Sequence, residues 1–335
     1  MATTFAFSGD QYIGELVSRK LQDAGFVLAA GLASADYIFT YCLSQTQLED
    51  AYLGTGGAVE SAKEGCCMVD LSPSTCTLAK EIYAVARVNE LQAIDAPLVL
   101  VDPCAHDAFG DAENVMMLVG GEDGAVADAM PLLSVLAHDV RHLGLAGSGQ
   151  LAKAVCTAQQ ASALIALVES HAIAKAQGES AGAALTAATA AGFLAPQALS
   201  IYQAMEEGHF HGTYSCRVVL AELTAVINGA EEIELVLTQV EACQHLVELF
   251  VVVGGGDLPA PALALAYAAD DEGASYGLDW TRADGIYGGE GDHGHDHDHH
   301  HHDHDEYDYD EYGYDYGYDD DEDGYAGGFG GFSSN

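Results

Sequence analysis

The first 120 residues alternate short apolar runs with stretches of helical spacing, and this alternation restricts the fold more than any other feature. Helix-like stretches such as 14–24 separate strand-like runs at 4–7, 35–43, 66–70, 96–101 and 115–119. Strands that alternate with helices form a mostly parallel sheet with helices on both faces. We therefore expect an α/β domain at 1–146.

The second half of the chain has a different composition. From about Gly147 it consists of long segments rich in Ala and Leu, with few strand signals. Helices are predicted at 151–177, 197–207, 215–226 and 231–250. The sequence therefore predicts an all-helical domain at 147–282, after the α/β domain.

The chain changes again after Trp280. Residues 288–335 are mainly Gly, Asp, His and Tyr, which cannot bury a core, so a disordered tail is predicted at 283–335. Histidines interleaved with aspartates suit Zn, Ni, Cu or Co. The candidate metal ligands are His293, His295, His297, His299, His300, His301, His302 and His304. Alternatively, this tail only solvates the protein, and its Tyr-Gly repeats self-associate weakly.

The charge balance restricts the partners. The chain has 52 acidic residues against 10 Lys and Arg, giving a formal net charge of -42. Such a surface repels nucleic acids and anionic lipids, so neither is expected as a partner. No apolar run looks long enough to span a bilayer, no signal peptide is recognisable, and the eight cysteines form no pairing motif. We expect a cytoplasmic protein.

A glycine pattern follows the first predicted strand. Gly9 and Gly14 occupy the first and third glycine positions of a dinucleotide-binding fingerprint, between a strand and a helix. Gln11 stands at the middle position, where glycine normally lets the backbone approach a diphosphate. The candidate cofactor-binding residues are Gly9, Gln11, Tyr12, Ile13 and Gly14.

Four further motifs occur in order along the chain. They are Asp70-Leu71-Ser72, Asp95-Ala96-Pro97, Val119-Gly120-Gly121 and Gly147-Ser148-Gly149-Gln150-Leu151-Ala152-Lys153. With the glycine pattern, they resemble the 3-hydroxyisobutyrate dehydrogenase family, also called the β-hydroxyacid dehydrogenases, over about 4–279. The last motif is the most specific of the four.

This resemblance implies a Rossmann-type domain, a long interdomain helix and a helical domain that mediates assembly into a homodimer or homotetramer. It also implies hydride transfer between NAD or NADP and a small 3-hydroxy acid. Lys153 would handle the proton, and Ser72 and Gly149 would contact the substrate. A lysine in the first turn of a helix has its pKa lowered by the helix dipole, which suits that role. The alternative is a solvated lysine at a helix start.

The pattern also departs from that family. Val99-Leu100-Val101 replaces a polar Ser-Gly-Gly, Cys156-Thr157 replaces Asn-Asn, and Ala221-Glu222 replaces a Lys-Asp pair. Only 11 residues separate Gly25 from Tyr37, so the Rossmann domain is predicted to be shortened. Two hypotheses remain: a divergent NAD(P)-dependent oxidoreductase that uses Lys153, or a non-catalytic scaffold or binding protein with a metal-binding tail. The first is the primary hypothesis.

Overall fold

The structure is a computed structural model that describes residues 2–283. The eight candidate metal ligands of the tail lie outside the described residues. The N-terminal part contains eight strands and five helices: β1 (Thr4–Gly9), α1 (Gln11–Asp23), β2 (Val27–Leu28), β3 (Tyr37–Tyr41), α2 (Gln45–Leu53), α3 (Ala58–Ser61), β4 (Cys67–Asp70), α4 (Cys76–Val88), β5 (Gln92–Asp95), β6 (Leu98–Leu100), β7 (Val115–Gly120), α5 (Asp123–Leu136) and β8 (Asp139–Gly144).

The strands form one sheet in the order β2-β1-β3-β4-β5-β7-β6, with β8 paired to β7. The first five strands are parallel, whereas β7 runs antiparallel to β5 and β6. The predicted α/β domain is confirmed. The single strand predicted at 96–101 was wrong in its bounds: β5 ends at Asp95 and β6 begins at Leu98. Pro97 lies between the two strands, where the sheet needs no backbone N–H from it.

The second strand of the sheet is very short. β2 has two residues, and a single 3₁₀ turn (Leu32–Ser34) leads from it to β3 on the other side of β1. No helix fits into this connection because so few residues separate the two strands. The shortened Rossmann domain predicted from the sequence is therefore confirmed.

The C-terminal part is helical, as predicted. It contains α6 (Ser148–Ala176), α7 (Gly182–Ala190), α8 (Gln197–Glu207), α9 (Cys216–Glu231), α10 (Thr238–Val252) and α11 (Asp270–Ser275), with 3₁₀ segments at Gly255–Asp257 and Ala260–Tyr267. Helix α6 packs against β7, α8 and α9. The apolar core of the sheet continues into this part through residues such as Leu164, Val168 and Leu223.

Helix α6 corrects one expectation. Among the described helices, it is long and apolar enough to cross a membrane by length and composition, with a mean hydropathy of 1.4 over an 18-residue window. The prediction that no run reaches that length was therefore wrong. The core helix of a globular protein meets the same criterion, and α6 places Val168 and Leu164 in the core.

Candidate functional site

A cleft lies at the carboxyl ends of β1 and β3, where the strand order reverses direction. This is the place where open α/β sheets bind ligands. The cleft has a volume of about 640 Å³ and is lined by Gly9, Asp10, Cys42, Leu43, Gln47, Asp50, Ala51 and Arg217. A second cleft of about 390 Å³ shares Leu43 and Arg217 and continues along α9. Arg217 pairs with Asp257 at 3.2 Å.

The first and third glycines of the fingerprint lie at close packing contacts. Gly9 has a φ of +117°, and a Cβ there would lie 2.1 Å from the carbonyl oxygen of Tyr41. A Cβ on Gly14 would lie 2.7 Å from the ring of Phe7. Both positions therefore require glycine for the packing of β1, α1 and β3.

The other predicted cofactor-binding residues face different surroundings. The side chain of Gln11 is exposed and donates a hydrogen bond to Glu15. Tyr12 is also exposed, with its hydroxyl 3.5 Å from Asp107. Ile13 is buried in the core. Of the five predicted residues, Gly9 lines the large cleft.

Asp10 caps helix α1. Its carboxylate oxygen Oδ1 accepts a hydrogen bond from the backbone N–H of Ile13 at 2.9 Å. A helix N-terminus normally attracts a phosphate through its free N–H groups and its dipole. Here the carboxylate of Asp10 already accepts one of these N–H groups, and its negative charge repels a phosphate. The fingerprint alone did not reveal this, although Asp is a common N-cap residue.

These residues do not fit the diphosphate of a dinucleotide in its usual place. Gln11 adds a side chain where the backbone must approach the ligand, and Asp10 repels it. Ala29, Ala30 and Gly31 follow β2, and none of the three has a side chain that holds a ribose.

Lys153 forms a buried ion pair. Its Nζ lies 2.5 Å from Oε1 of Glu222 on α9, and the side chains are 5% and 3% exposed. The other carboxylate oxygen of Glu222 accepts hydrogen bonds from Tyr214 at 2.8 Å and from Thr157 at 3.3 Å. Every polar atom of the pair therefore has a partner from α6, α9 or the segment before α9.

Both sequence interpretations of Lys153 need correction. Helix α6 begins at Ser148, so Lys153 is its sixth residue and lies in the second turn. The field of a helix end falls off within the first turn, so the predicted dipole effect does not apply. The alternative of a solvated lysine was wrong too, because the residue is 4% exposed.

Three aromatic residues, the aromatic cover, pack together beside the ion pair, and Tyr214 contacts it directly. The ring of Phe109 lies 6.4 Å from that of Tyr41 and 6.2 Å from that of Tyr214. Burial and the charge of Glu222 raise the pKa of both tyrosines well above the usual 10. The two phenols therefore stay neutral, and Tyr214 acts as a hydrogen-bond donor to Glu222.

The two predicted substrate-binding residues lie in packing contacts. Ser72 is fully buried, and its Oγ accepts the N–H of Cys42 at 2.9 Å. A Cβ on Gly149 would lie 2.4 Å from the carbonyl oxygen of Leu118 and 2.6 Å from that of Asp95. Neither Ser72 nor Gly149 lines either cleft.

Two buried aspartates were not singled out from the sequence as functional. The carboxylate of Asp95 accepts the N–H of Gly147 at 2.8 Å and of Gln150 at 2.9 Å, and so caps α6. Asp70 lies beside it in the register of β4 and β5. Burial raises the pKa of Asp70 to about 7, and its Oδ2 has no hydrogen-bond partner among the described residues. The sequence did carry a sign that these two aspartates matter, because each of them is the first residue of one of the four motifs.

No group of three or more His, Cys, Asp or Glu side chains within residues 2–283 is arranged to hold a metal ion. The metal prediction concerned the tail and stays a prediction.

Comparison with known proteins relates this chain to dehydrogenases. Residues 13–144 match the family described as the NAD binding domain of 6-phosphogluconate dehydrogenase. The chain is 33% identical over 144 residues to the uncharacterized oxidoreductase YkwC of Bacillus subtilis, covering 43% of this chain and 48% of the relative. It is 27% identical over 178 residues to an NAD-dependent L-serine dehydrogenase of Pseudomonas aeruginosa, covering 46% and 58%.

The fold has a solved counterpart. The structure of 3-hydroxyisobutyrate dehydrogenase from Mycobacterium tuberculosis with L-serine superposes with a TM-score of 0.69 at 21% identity, covering 80% of this chain and all of that one. By sequence, the chain spans about half the length of the curated relatives that it matches. The fold is therefore that of this dehydrogenase, and residues 13–144 match an NAD binding domain.

Proposed function

We propose that this chain is a divergent member of the 3-hydroxyisobutyrate dehydrogenase family that keeps the fold of that family without its reaction. Its role is to bind a small molecule in the cleft at the carboxyl ends of β1 and β3. The observation that carries this proposal is the burial of Lys153 in an ion pair with Glu222.

A lysine that transfers a proton must reach the reacting oxygen of the substrate at roughly 3 Å. Glu222 and the aromatic cover occupy the surroundings of Lys153, and neither cleft is lined by it. Separating a buried ion pair costs several kcal/mol, because it leaves a charge without a partner. Lys153 therefore serves to hold α6 against α9.

The cofactor side supports the same proposal. The family match favours NAD or NADP as the ligand class, but Asp10 caps the helix N-terminus that a diphosphate would need, and Gln11 stands at the middle glycine position of the fingerprint. The cleft itself persists next to these residues. A ligand without a diphosphate fits this place better than a dinucleotide does.

A fluorescence titration with NADH and NADPH tests the proposal. We expect no change with the wild-type protein up to about millimolar cofactor, the upper end of the usual range of Michaelis constants. The double variant Asp10→Gly, Gln11→Gly restores an open helix N-terminus and should gain affinity for both. Its control is Glu122→Gly, Asp123→Gly at the start of α5, which should gain none. Micromolar binding by the wild-type protein would overturn the proposal.

A second candidate is the oxidoreductase itself, with Lys153 as proton donor and acceptor. The match of residues 13–144 to an NAD-binding domain favours it. The test is absorbance at 340 nm with NAD or NADP and either L-serine or 3-hydroxyisobutyrate. Turnover that Lys153→Met abolishes would establish this candidate, and its absence under all four conditions would exclude these two substrates.

Three further expectations enter as proposals. Assembly into a homodimer or homotetramer through the helical part is tested by light scattering.

Metal binding by the tail is tested by equilibrium dialysis against Zn, Ni, Cu and Co, with and without residues 288–335. A cytoplasmic location agrees with the eight cysteines, which are all free thiols.

A further inference from the structure

We propose that residues 101–111, which we call the strap, are a movable cover that controls access of solvent and small molecules to the Lys153–Glu222 pair through Phe109. The strap lies between β6 and the 3₁₀ turn at Ala112–Asn114 and contains no helix or strand. This inference goes beyond the proposed function: the cover itself depends on the geometry around the ion pair, and only its response to the cleft depends on a ligand.

The contacts of Phe109 connect the strap to the pair. Phe109 is 6% exposed and lies against Tyr41 and Tyr214. Tyr214 in turn donates its hydroxyl hydrogen to Glu222, which holds Lys153. Phe109 therefore forms the outer layer of the cover, and the two tyrosines form the inner layer. Withdrawal of Phe109 would expose the side of the tyrosines that it now covers.

The base of the strap is held firmly. The side-chain oxygen of Asn114 accepts the N–H of Asp102 at 2.7 Å, and its amide donates to the carbonyl oxygens of Asp102 at 2.8 Å and Ala108 at 3.0 Å. Asn114 is itself buried. These are short, well-formed hydrogen bonds, so Asp102 and Ala108 stay in place when the residues between them and the ring of Phe109 move.

The outer contacts are weaker. The hydroxyl of Tyr12 lies 3.5 Å from Asp107, and the ammonium of Lys20 lies 3.4 Å from the carbonyl oxygen of Phe109. Both distances are at the long end for hydrogen bonds. A void of about 20 Å³ also borders Phe109 on its α1 side. The strap is therefore anchored at its base and loosely fastened to α1.

The weak contact between Tyr12 and Asp107 connects the strap to the cleft. Tyr12 lies two residues after Asp10, which lines the cleft and caps α1. A molecule bound at the start of α1 would compete with the contact between Tyr12 and Asp107. Occupation of the cleft is therefore expected to loosen the strap.

The test is the rate at which a small amine-reactive acetylating reagent modifies Lys153, measured by peptide mass spectrometry. Phe109→Ala should increase the rate by about tenfold or more, since local opening governs access to a buried group. The exposed Lys63 and Lys175 serve as internal controls and should react as in the wild type. Phe193→Ala, at a residue that is 86% exposed, should leave the rate at Lys153 unchanged.

A folded Phe109→Ala protein with an unchanged rate at Lys153 would overturn the proposal. If that variant fails to fold, Asp107→Asn and Tyr12→Phe decide, because they loosen only the outer contact. Both should raise the rate by a smaller factor, and no change in either would again overturn it. Because cofactor binding does not enter these measurements, their failure is distinguishable from failure of the proposed function.

Discussion

Helices α1 and α6 both begin at the carboxyl edge of the sheet after a glycine with positive φ, and both have a carboxylate at their N-terminus. On α1 the carboxylate belongs to Asp10, the neighbouring residue, at the edge of an open cleft. On α6 it belongs to Asp95, which lies on a different strand and is buried.

This difference separates two kinds of motif residue. Around α6 the motif residues contact one another, and changing any of them disturbs the packing of sheet and helix. Around α1 the two glycines needed for packing are present, whereas Gln11 stands at the position that only a ligand would need as glycine. The fold therefore depends on the first group, and binding of a dinucleotide would depend on the second. We expect variants at α6 to cost far more stability than variants at α1.

The largest expected effect is at the ion pair. Lys153→Met should lower the free energy of unfolding by about 3–5 kcal/mol, because Glu222 would be buried without a partner. Adding Glu222→Leu to this variant should recover most of the loss. Chemical denaturation of both single variants and the double variant gives the coupling. A Lys153→Met protein as stable as the wild type would show that the pair is not closed to water.

The next effect is at Gly149. Gly149→Ala should cost roughly 3 kcal/mol, at the upper end for overpacking, because the new Cβ meets two backbone oxygens that cannot move aside. The matched control is Gly124→Ala in the first turn of α5, where nothing lies within 4 Å. That variant should be neutral or stabilising by up to about 1 kcal/mol. Equal melting temperatures for both would contradict the packing role.

A smaller effect compares the two caps directly. Asp95→Ala should cost about 2–3 kcal/mol, since two buried N–H groups lose a charged acceptor. Asp10→Ala should cost about 1 kcal/mol, the usual value for an N-cap that is partly open to solvent. The measurement is urea denaturation at pH 7. If the two losses were equal, the comparison of the two helix ends would fail.

The last prediction concerns pH. Burial raises the pKa of Asp70 to about 7 from 3.8, so between about pH 4 and 7 the folded protein holds a proton that the unfolded chain has lost. Stability should therefore fall as pH rises through this window, by at most about 1.4 kcal/mol per pH unit, and stay level above it. Asp70→Asn should remove this component. An identical pH profile for variant and wild type would refute it.

The sequence predicted the parts that depend on local pattern. Apolar runs and helical spacing gave the α/β half and the helical half, and the gap between Gly25 and Tyr37 gave the shortened connection. Strand β5 was not predicted, and the strand predicted at 96–101 began two residues before β6 because 96–101 reads as one apolar run. The direction of β7 was also missed, since strand orientation depends on distant pairing.

The candidate site was less predictable because its contacts are distant in sequence. Lys153 and Glu222 are on different helices, and nothing in the chain marks their approach to 2.5 Å. A partial clue existed, since Ala221-Glu222 had been recognised as the counterpart of a Lys-Asp pair. The cap by Asp10 was readable from its position before a helix, but the glycine pattern drew the interpretation toward a cofactor.

The cap of α6 also decides whether the helical part can be separated from the sheet as a fragment. Gly147 offers no side chain to the first turn of α6, and the missing acceptor comes from Asp95 at the end of β5. A fragment that starts at Gly147 would begin its longest helix with unsatisfied N–H groups and an uncovered Lys153. The helical part is therefore not an autonomous module that could be exchanged between proteins, and the sheet must come with it.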